Sequence, residues 1–275
     1  MRVSAAQNSA LEVEYAALSD CGKVREHNED YIGQVAPATP AEGRTRGWLF
    51  ALADGVGGQA HGEIASRTAV ENLLAGFRGA ESGEPMAALL PRLVQAANHA
   101  VYEAGMRAAP GGVAMATTLV ACALRYDRVV VAHVGDSRCY LIRRGHATLL
   151  TRDHTMANEQ VRLGIMSSRQ AEDTDARHVL VRSLGSNLFA NVESSEHLIV
   201  SGDMLVLCSD GLHGSISGAD MARVTGRSPT LEMAAQSLVE LAKERDGNDN
   251  ISVQLIRVRG VERVGMYRGR PYKLR

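Results

Sequence analysis

At 275 residues, 45% hydrophobic and 22% charged, the chain has the composition of an ordinary globular protein with enough apolar side chains for a sizeable core. Its 30 Lys and Arg stand against 31 Asp and Glu, a balance that gives no sign of a general polyanion binder, and no nucleic-acid partner is expected. No run approaches the ~20 apolar residues that span a bilayer, and the opening MRVSAAQNSAL lacks the apolar stretch of a secretory leader, so no membrane span and a cytoplasmic location are expected.

In chain order, strand-like runs rich in Val, Leu and Ile occur at VEYAALS, GWLFALAD, TTLVACALRY, RVVVAHVG, CYLIRR, ATLLT, SEHLIV, MLVLCSD and ISVQLIRV, each bounded by Gly, Asp or Asn. Between the second and third, Ala65, Ala69, Leu73 and Phe77 fall at four-residue steps and predict a helix over 62–77. Leu90, Val94, Ala97 and Val101 form a second apolar stripe between Pro85 and Arg107, with Pro85 suited to a first turn. The stretch RVVVAHVGDSRCYLIRRGHATLL reads as adjacent strands of one antiparallel meander, turned at Gly135-Asp136-Ser137 and at Arg144-Gly145. A short helix pair follows around 155–173, and a further helix over 231–244. Strands in meanders with helices grouped between them argue for an α+β fold. One domain is expected over 12–258, followed by a basic tail, 259–275, read either as a solvated extension or as a docking segment for an acidic partner.

The four cysteines, Cys21, Cys122, Cys139 and Cys208, contain no CxxC pair and fit a reduced protein. Acids border the apolar runs. Asp54 ends LFALAD, Asp136 follows VVVAHVG, Asp210 ends MLVLCSD, Asp249 precedes ISVQLIRV, and Glu29-Asp30 close REHNED. Any one of them is by itself an ordinary turn residue. If they converge, two carboxylates ~4 Å apart repel by ~4 kcal/mol at an effective dielectric near 20, so cations or protons must sit among them. An all-oxygen set suits Mg²⁺ or Mn²⁺, and two such ions sharing a carboxylate can activate a water against phosphorus. The loop DGVGGQAHGE lacks the Lys-Ser/Thr of a P-loop and is not GxGxxG. Gly55 would instead let its own carbonyl approach a cation, with Gly57 and Gly58 bending the chain away. Arg25 has the planar fork that matches two phosphate oxygens, although an Arg before an acidic pair also makes a surface ion pair.

The ordered set SDCGKVREHNEDYIG (19–33), ALADGVGGQAHGE (51–63), MATTLVACAL (115–124), VAHVGDSRCYLIRRG (131–145), LTRDHT (150–155), VLVRSLG (179–185), LVLCSDGL (205–212) and DGNDNISVQLI (246–256) resembles the metal-dependent protein phosphatases, type 2C, in their compact bacterial branch. The resemblance implies a four-layer αββα sandwich of two antiparallel sheets flanked by helix pairs. It implies hydrolysis of phosphoserine and phosphothreonine on proteins, opposing a serine/threonine kinase system, without a phosphoenzyme. Mn²⁺ or Mg²⁺ is the implied cofactor, as two core ions plus a third, weaker site.

Carried over by motif, Asp54 bridges the two ions, Glu29 and the Gly55 carbonyl complete one site, and Asp210 and Asp249 hold the other. Asp30 belongs to the same metal centre and orients its water, Asp136 with Asp210 supplies the third site, Arg25 clamps phosphate, and Asn250 supports its neighbouring ligand. Val56 stands where animal relatives have a histidine, which leaves the proton donor open, and Ala116 stands where the family has glycine. His133 and His154 read as structural. The flap between His154 and Leu180 has Gly164 as a hinge candidate, with Met156, Ile165 and Met166 expected to pack beneath it. Two rivals remain: a pseudophosphatase that binds phosphoprotein without turnover, and an aspartyl-phosphate enzyme built on Asp173-Thr174-Asp175, which is disfavoured by its polar surroundings.

Overall fold

The computed structural model describes residues 11–56, 61–81, 83–108, 115–172, 174–267 and 270–273; Gly57, Gly58 and Asp173 lie outside them. One five-stranded sheet has the order β1-β10-β9-β6-β7 and the other β2-β3-β4-β5-β8, with antiparallel neighbours throughout. The strands are β1 (Glu12–Asp20), β2 (Asp30–Val35), β3 (Trp48–Asp54), β4 (Leu119–Arg125), β5 (Arg128–Val134), β6 (Arg138–Arg143), β7 (His146–Leu149), β8 (Glu193–Leu198), β9 (Met204–Cys208) and β10 (Ile251–Gly260). The helices are α1 (Pro40–Thr45), α2 (Gly62–Gly79), α3 (Met86–Ala108), α4 (Met156–Arg162), α5 (Ser168–Glu172), α6 (Asp210–His213), α7 (Gly218–Arg227) and α8 (Leu231–Arg245).

Three apolar clusters define four layers. Phe50, Leu52, Val120, Cys122, Leu205, Leu207 and Ile256 fill the space between the sheets. Leu49, Ala51, Ala53, Ala121 and Ala123, the alternate residues of β3 and β4, face α2 and α3. On the far side, Val206, Cys208, Val253 and Leu255 meet α7 and α8. Strands buried on both faces lose polar alternation, which is why GWLFALAD and TTLVACAL read as continuous apolar runs. The small alanines lie on the helix-facing side of β3 and β4, where they let α2 approach, and the predicted stripe Ala65, Ala69, Leu73 and Phe77 is buried against them. The expected sandwich of two antiparallel sheets with outer helix pairs is thus the observed fold.

One expectation is corrected. β5 and β6 are not adjacent strands of one meander. The Gly135-Asp136-Ser137 turn carries the chain from one sheet into the other. Repetition of apolar runs cannot distinguish a hairpin from a crossing between sheets, because both need a tight turn. The second turn is a true hairpin: β6 pairs with β7, and Arg144 and Gly145 at φ 51° and 79° give it the twist such turns require. The basic tail begins inside β10 and continues as a hairpin of β11 (Val264–Tyr267) and β12 (Arg270–Lys273). Met156 and Ile165 are exposed rather than packed under the flap, Ile165 at 70%. Gly164 does take the left-handed conformation, at φ 73°.

Candidate active site

Strand polarity gathers the acids. Asp30 opens β2 and sits opposite Asp54, the last residue of β3, in the antiparallel register. Asp136 lies just past the end of β5 in the same sheet. In the other sheet Asp210 follows β9, and Asp249 precedes β10, which pairs with it. The two sheets therefore present these ends at one edge of the sandwich. Asp54 lies within electrostatic reach of Asp30, Asp210, Asp136 and Asp249.

The backbone at this edge is held by side chains. Asn250 accepts from the Glu29 N–H (2.8 Å) through Oδ1 and donates through Nδ2 to the carbonyls of Cys21 (3.1 Å) and His27 (3.0 Å). It thereby ties the REHNED loop to β10, and its own N–H donates to Asp249 Oδ1 at 2.8 Å. Asn28 Oδ1 accepts from the Asp30 N–H at 3.1 Å. The Gly55 N–H donates to the Glu29 carbonyl at 3.1 Å. A Cβ at Gly55 would stand 2.5 Å from the Gly62 carbonyl, and one at Gly62 would stand 2.9–3.1 Å from the Glu29 carboxylate. Gly55 is thus required by the close approach of the Gly62 backbone, and Gly62 leaves room for the Glu29 carboxylate. Gly62 had no role in the sequence reading. Its signal was the spacing from Gly55, which only the return of the chain onto Glu29 makes meaningful.

Burial comes first among the causes that raise the acids here. Asp54 is pushed well above the usual carboxylate range by burial and then by Asp30, Asp210, Asp136 and Asp249. Asp30 rises to about 7, from burial opposed by the Ser252 and Ser209 hydroxyls. Asp136 rises to about 8 through burial and then Asp210. Asp210 rises through burial and the charge of Asp249, with a hydrogen bond from Asp54 opposing. Glu29 rises through burial and Glu63. Both carboxylate oxygens of Asp30 are buried without a hydrogen bond of acceptable geometry. Such a cluster is satisfied by protons or by hard cations, and its donors are all oxygen, so the residues fit Mg²⁺ or Mn²⁺ rather than a nitrogen- or sulfur-preferring ion.

Arg25 donates to Asp249 Oδ2 at 2.7 Å, with both side chains about two-fifths exposed, and this contact is the main cause that raises its guanidinium. The ion pair lies at the acidic edge, since Asp249 is one of its acids. A cavity of about 700 Å³ opens there, lined by Asp136, Asp210 and Asp249 and by Asn158, Arg177 and His178 of the flap segment. A smaller one of about 290 Å³ lies at the opposite strand ends, around Trp48 and Tyr126, away from the acids.

His133, His154 and Glu193 also bring ligand atoms within 4.8 Å of one another. The His154 Nδ1 accepts from the Gly135 N–H at 3.1 Å, so its ring proton is on Nε2, which faces Glu193 Oε2 at 3.3 Å. Arg152 already holds that carboxylate at 2.8 Å. Burial and the His133 ring, stacked at 4.7 Å, lower His154 to about 4. A ring that carries its proton toward the site and a guanidinium beside it do not suit a cation. The cluster is structural, as both histidines were read.

The protein phosphatase 2C family model matches residues 23–254. A serine/threonine phosphatase of Listeria innocua is 32% identical over 257 residues, covering 92% of this chain and 96% of that protein. The phosphatase PstP of Mycobacterium tuberculosis is 34% identical over 244 residues, 88% of this chain and 44% of that longer one. The solved S. agalactiae serine/threonine phosphatase superposes with a TM-score of 0.80 at 32% identity, covering 90% of this chain and 100% of that chain. The catalytic domain of PstP in complex with two manganese ions superposes with a TM-score of 0.75 at 33% identity, over 90% and 99%.

Proposed function

Because the chain belongs to the protein phosphatase 2C family and is a metal-dependent serine/threonine protein phosphatase, we propose that the acidic edge around Asp54 is its reaction centre. Asp54 would lie between two cations, Mn²⁺ or Mg²⁺, and help to hold both. Glu29 and the Gly55 carbonyl would help hold one of them, Asp210 and Asp249 the other, and Asp136 with Asp210 would hold a third, weaker one. When bound, the two core ions supply the charge that activates a water for attack on phosphorus. Convergence of five carboxylates from both sheets, with both Asp30 oxygens buried and short of a well-formed hydrogen bond, supports this reading.

Asp30 would orient the attacking water, since its two buried oxygens make no well-formed hydrogen bond and meet only the Ser252 and Ser209 hydroxyls. Arg25 binds the phosphate and aligns it through its fork, exchanging its present contact with Asp249. Asn250 keeps Glu29 and Asp249 at fixed positions by bonding both. The substrates are phosphoserine and phosphothreonine on cytoplasmic proteins, and the enzyme reverses a kinase of the same cell.

Purified protein with a phosphothreonine peptide is expected to turn over with Mn²⁺ and to stop in EDTA. Peptide binding without turnover under every divalent cation, in folded protein, would make it a phosphoprotein-binding module instead. A second outcome concerns Gly62→Ala. The new methyl displaces the Glu29 carboxylate, the mobile end of a side chain, so the cation-free melting temperature should hardly change. The Mn²⁺ concentration for half-activation should rise about 10- to 100-fold. Unchanged activation would remove Glu29 from the ligand set.

A further inference from the structure

The motif MATTL, Met115 to Leu119, is part of the family resemblance, yet the ligand set leaves it without a task. In the fold it sits between the two turns that carry Asp54 and Asp136. We infer that Thr118 is a positioning residue whose hydroxyl locks these two turns to each other, and so sets the affinity of the cation site that Asp136 serves. The inference rests on the ligand assignment proposed above.

The β3–β4 ladder ends at the pair Leu52 and Val120. Beyond it, Thr118 Oγ1 takes the place of a backbone carbonyl and accepts from the Asp54 N–H at 3.1 Å. The Thr118 N–H donates back to the Asp54 carbonyl at 2.8 Å, and Thr117 Oγ1 donates to the same carbonyl at 2.7 Å. Asp54 is therefore gripped on both its backbone groups by consecutive threonines. The same Thr118 Oγ1 lies 2.7 Å from Ser137 Oγ, the residue after Asp136, and both side chains are buried. One hydroxyl thus joins the end of β3 to the crossing from β5 to β6. Packing repeats the contact: Gly135 has φ 105°, and a Cβ there would stand 2.6 Å from Thr118 Cβ. The turn lies directly on the threonine, and its hydrogen bond fixes where along that surface Asp136 stands. Partners of this kind, which hold a ligand without touching the ion, typically carry 10- to 100-fold in metal affinity.

The test is Mn²⁺ binding to cation-free protein by calorimetry, with Thr118→Val, Thr118→Ser, Ser137→Ala and Asp136→Asn beside wild type. Valine keeps the shape against Gly135 and removes the hydroxyl. Thr118→Val and Ser137→Ala should each weaken the lowest-affinity Mn²⁺ step about 10-fold or more. Their combination should be no worse than Thr118→Val alone, because valine already removes the bond that Ser137→Ala breaks, together with the one from the Asp54 N–H. Thr118→Ser should restore wild-type binding. If Thr118→Val fails to fold, Ser137→Ala reads the same bond from its other end. A wild-type isotherm for both variants, with Asp136→Asn losing the weak step, overturns the inference alone. Equal damage from Thr118→Ser and Thr118→Val also overturns it, since the hydroxyl is then not the cause. An unchanged isotherm for Asp136→Asn overturns the Asp136 assignment and the inference with it.

Discussion

Asp54→Asn is expected to lower kcat/KM on a phosphothreonine peptide by about 1,000-fold, or ~4 kcal/mol of transition-state stabilisation. The same substitution should raise the melting temperature of the cation-free protein at pH 8. Both effects have one origin. Asp54 is the acid that faces Asp30, Asp210, Asp136 and Asp249 together, and burial already disfavours its charge. An amide in its place would remove the carboxylate proposed to hold both cations and would also remove the central repulsion that remains without them. Peptide assays in Mn²⁺ and calorimetry in EDTA read the two halves separately. Activity within 10-fold of wild type would take Asp54 out of the bridging position. Lost activity with an unchanged or lowered cation-free melting temperature would mean that the substitution damaged the fold rather than the charge balance.

Cation-free protein should lose stability as pH rises from about 4 to about 8. The sign follows from proton binding. Asp30, raised to about 7, and Asp136, raised to about 8, hold protons in the folded state over a range where the unfolded chain has released them. Where the folded state binds more protons, stability falls with increasing pH, so the advantage is full near pH 4 and is lost as pH passes these values. Asp30 alone, shifted from 3.8 to about 7, corresponds to roughly 4 kcal/mol, or on the order of 10 °C in melting temperature for a chain of this size. Saturating Mn²⁺ should cancel most of the slope, because cations then neutralise the charge that protons had masked. Melting curves in EDTA and in Mn²⁺ across this range give the answer. A cation-free protein that is most stable at pH 8 would mean that the acids do not share one buried site.

Much of the fold was legible because burial on two faces leaves a plain mark. GWLFALAD and TTLVACAL are apolar throughout, and Ala65, Ala69, Leu73 and Phe77 recur at the helical step; these became β3, β4 and α2. The short helices α1, α6 and α7 were not anticipated. They are 6, 4 and 10 residues long, and α1 buries no residue and α6 only Leu212, so neither leaves a periodic apolar signature. The partition of strands between sheets was also beyond reach, and the β5–β6 crossing was read as a hairpin for that reason. Arg25 was ambiguous between an ion pair and a phosphate clamp, and its 2.7 Å contact with Asp249 puts the ion pair at the very edge where phosphate would arrive.

The sequence by itself determined which residues could do chemistry. Acids at the ends of apolar runs are a local pattern, set by where strands stop and turns begin. It also determined the family, because eight short motifs in one order leave little freedom. Only the tertiary structure decided that the acids meet. Antiparallel pairing sets Asp30 opposite Asp54, and a crossing between sheets brings Asp136 to the edge where β9 and β10 deliver Asp210 and Asp249. The contacts of Gly62, Thr118 and Asn250 were likewise decided there. Each acts on a segment distant in sequence, through a close approach or a hydrogen bond, and contacts of that kind come into being only when the chain has closed on itself.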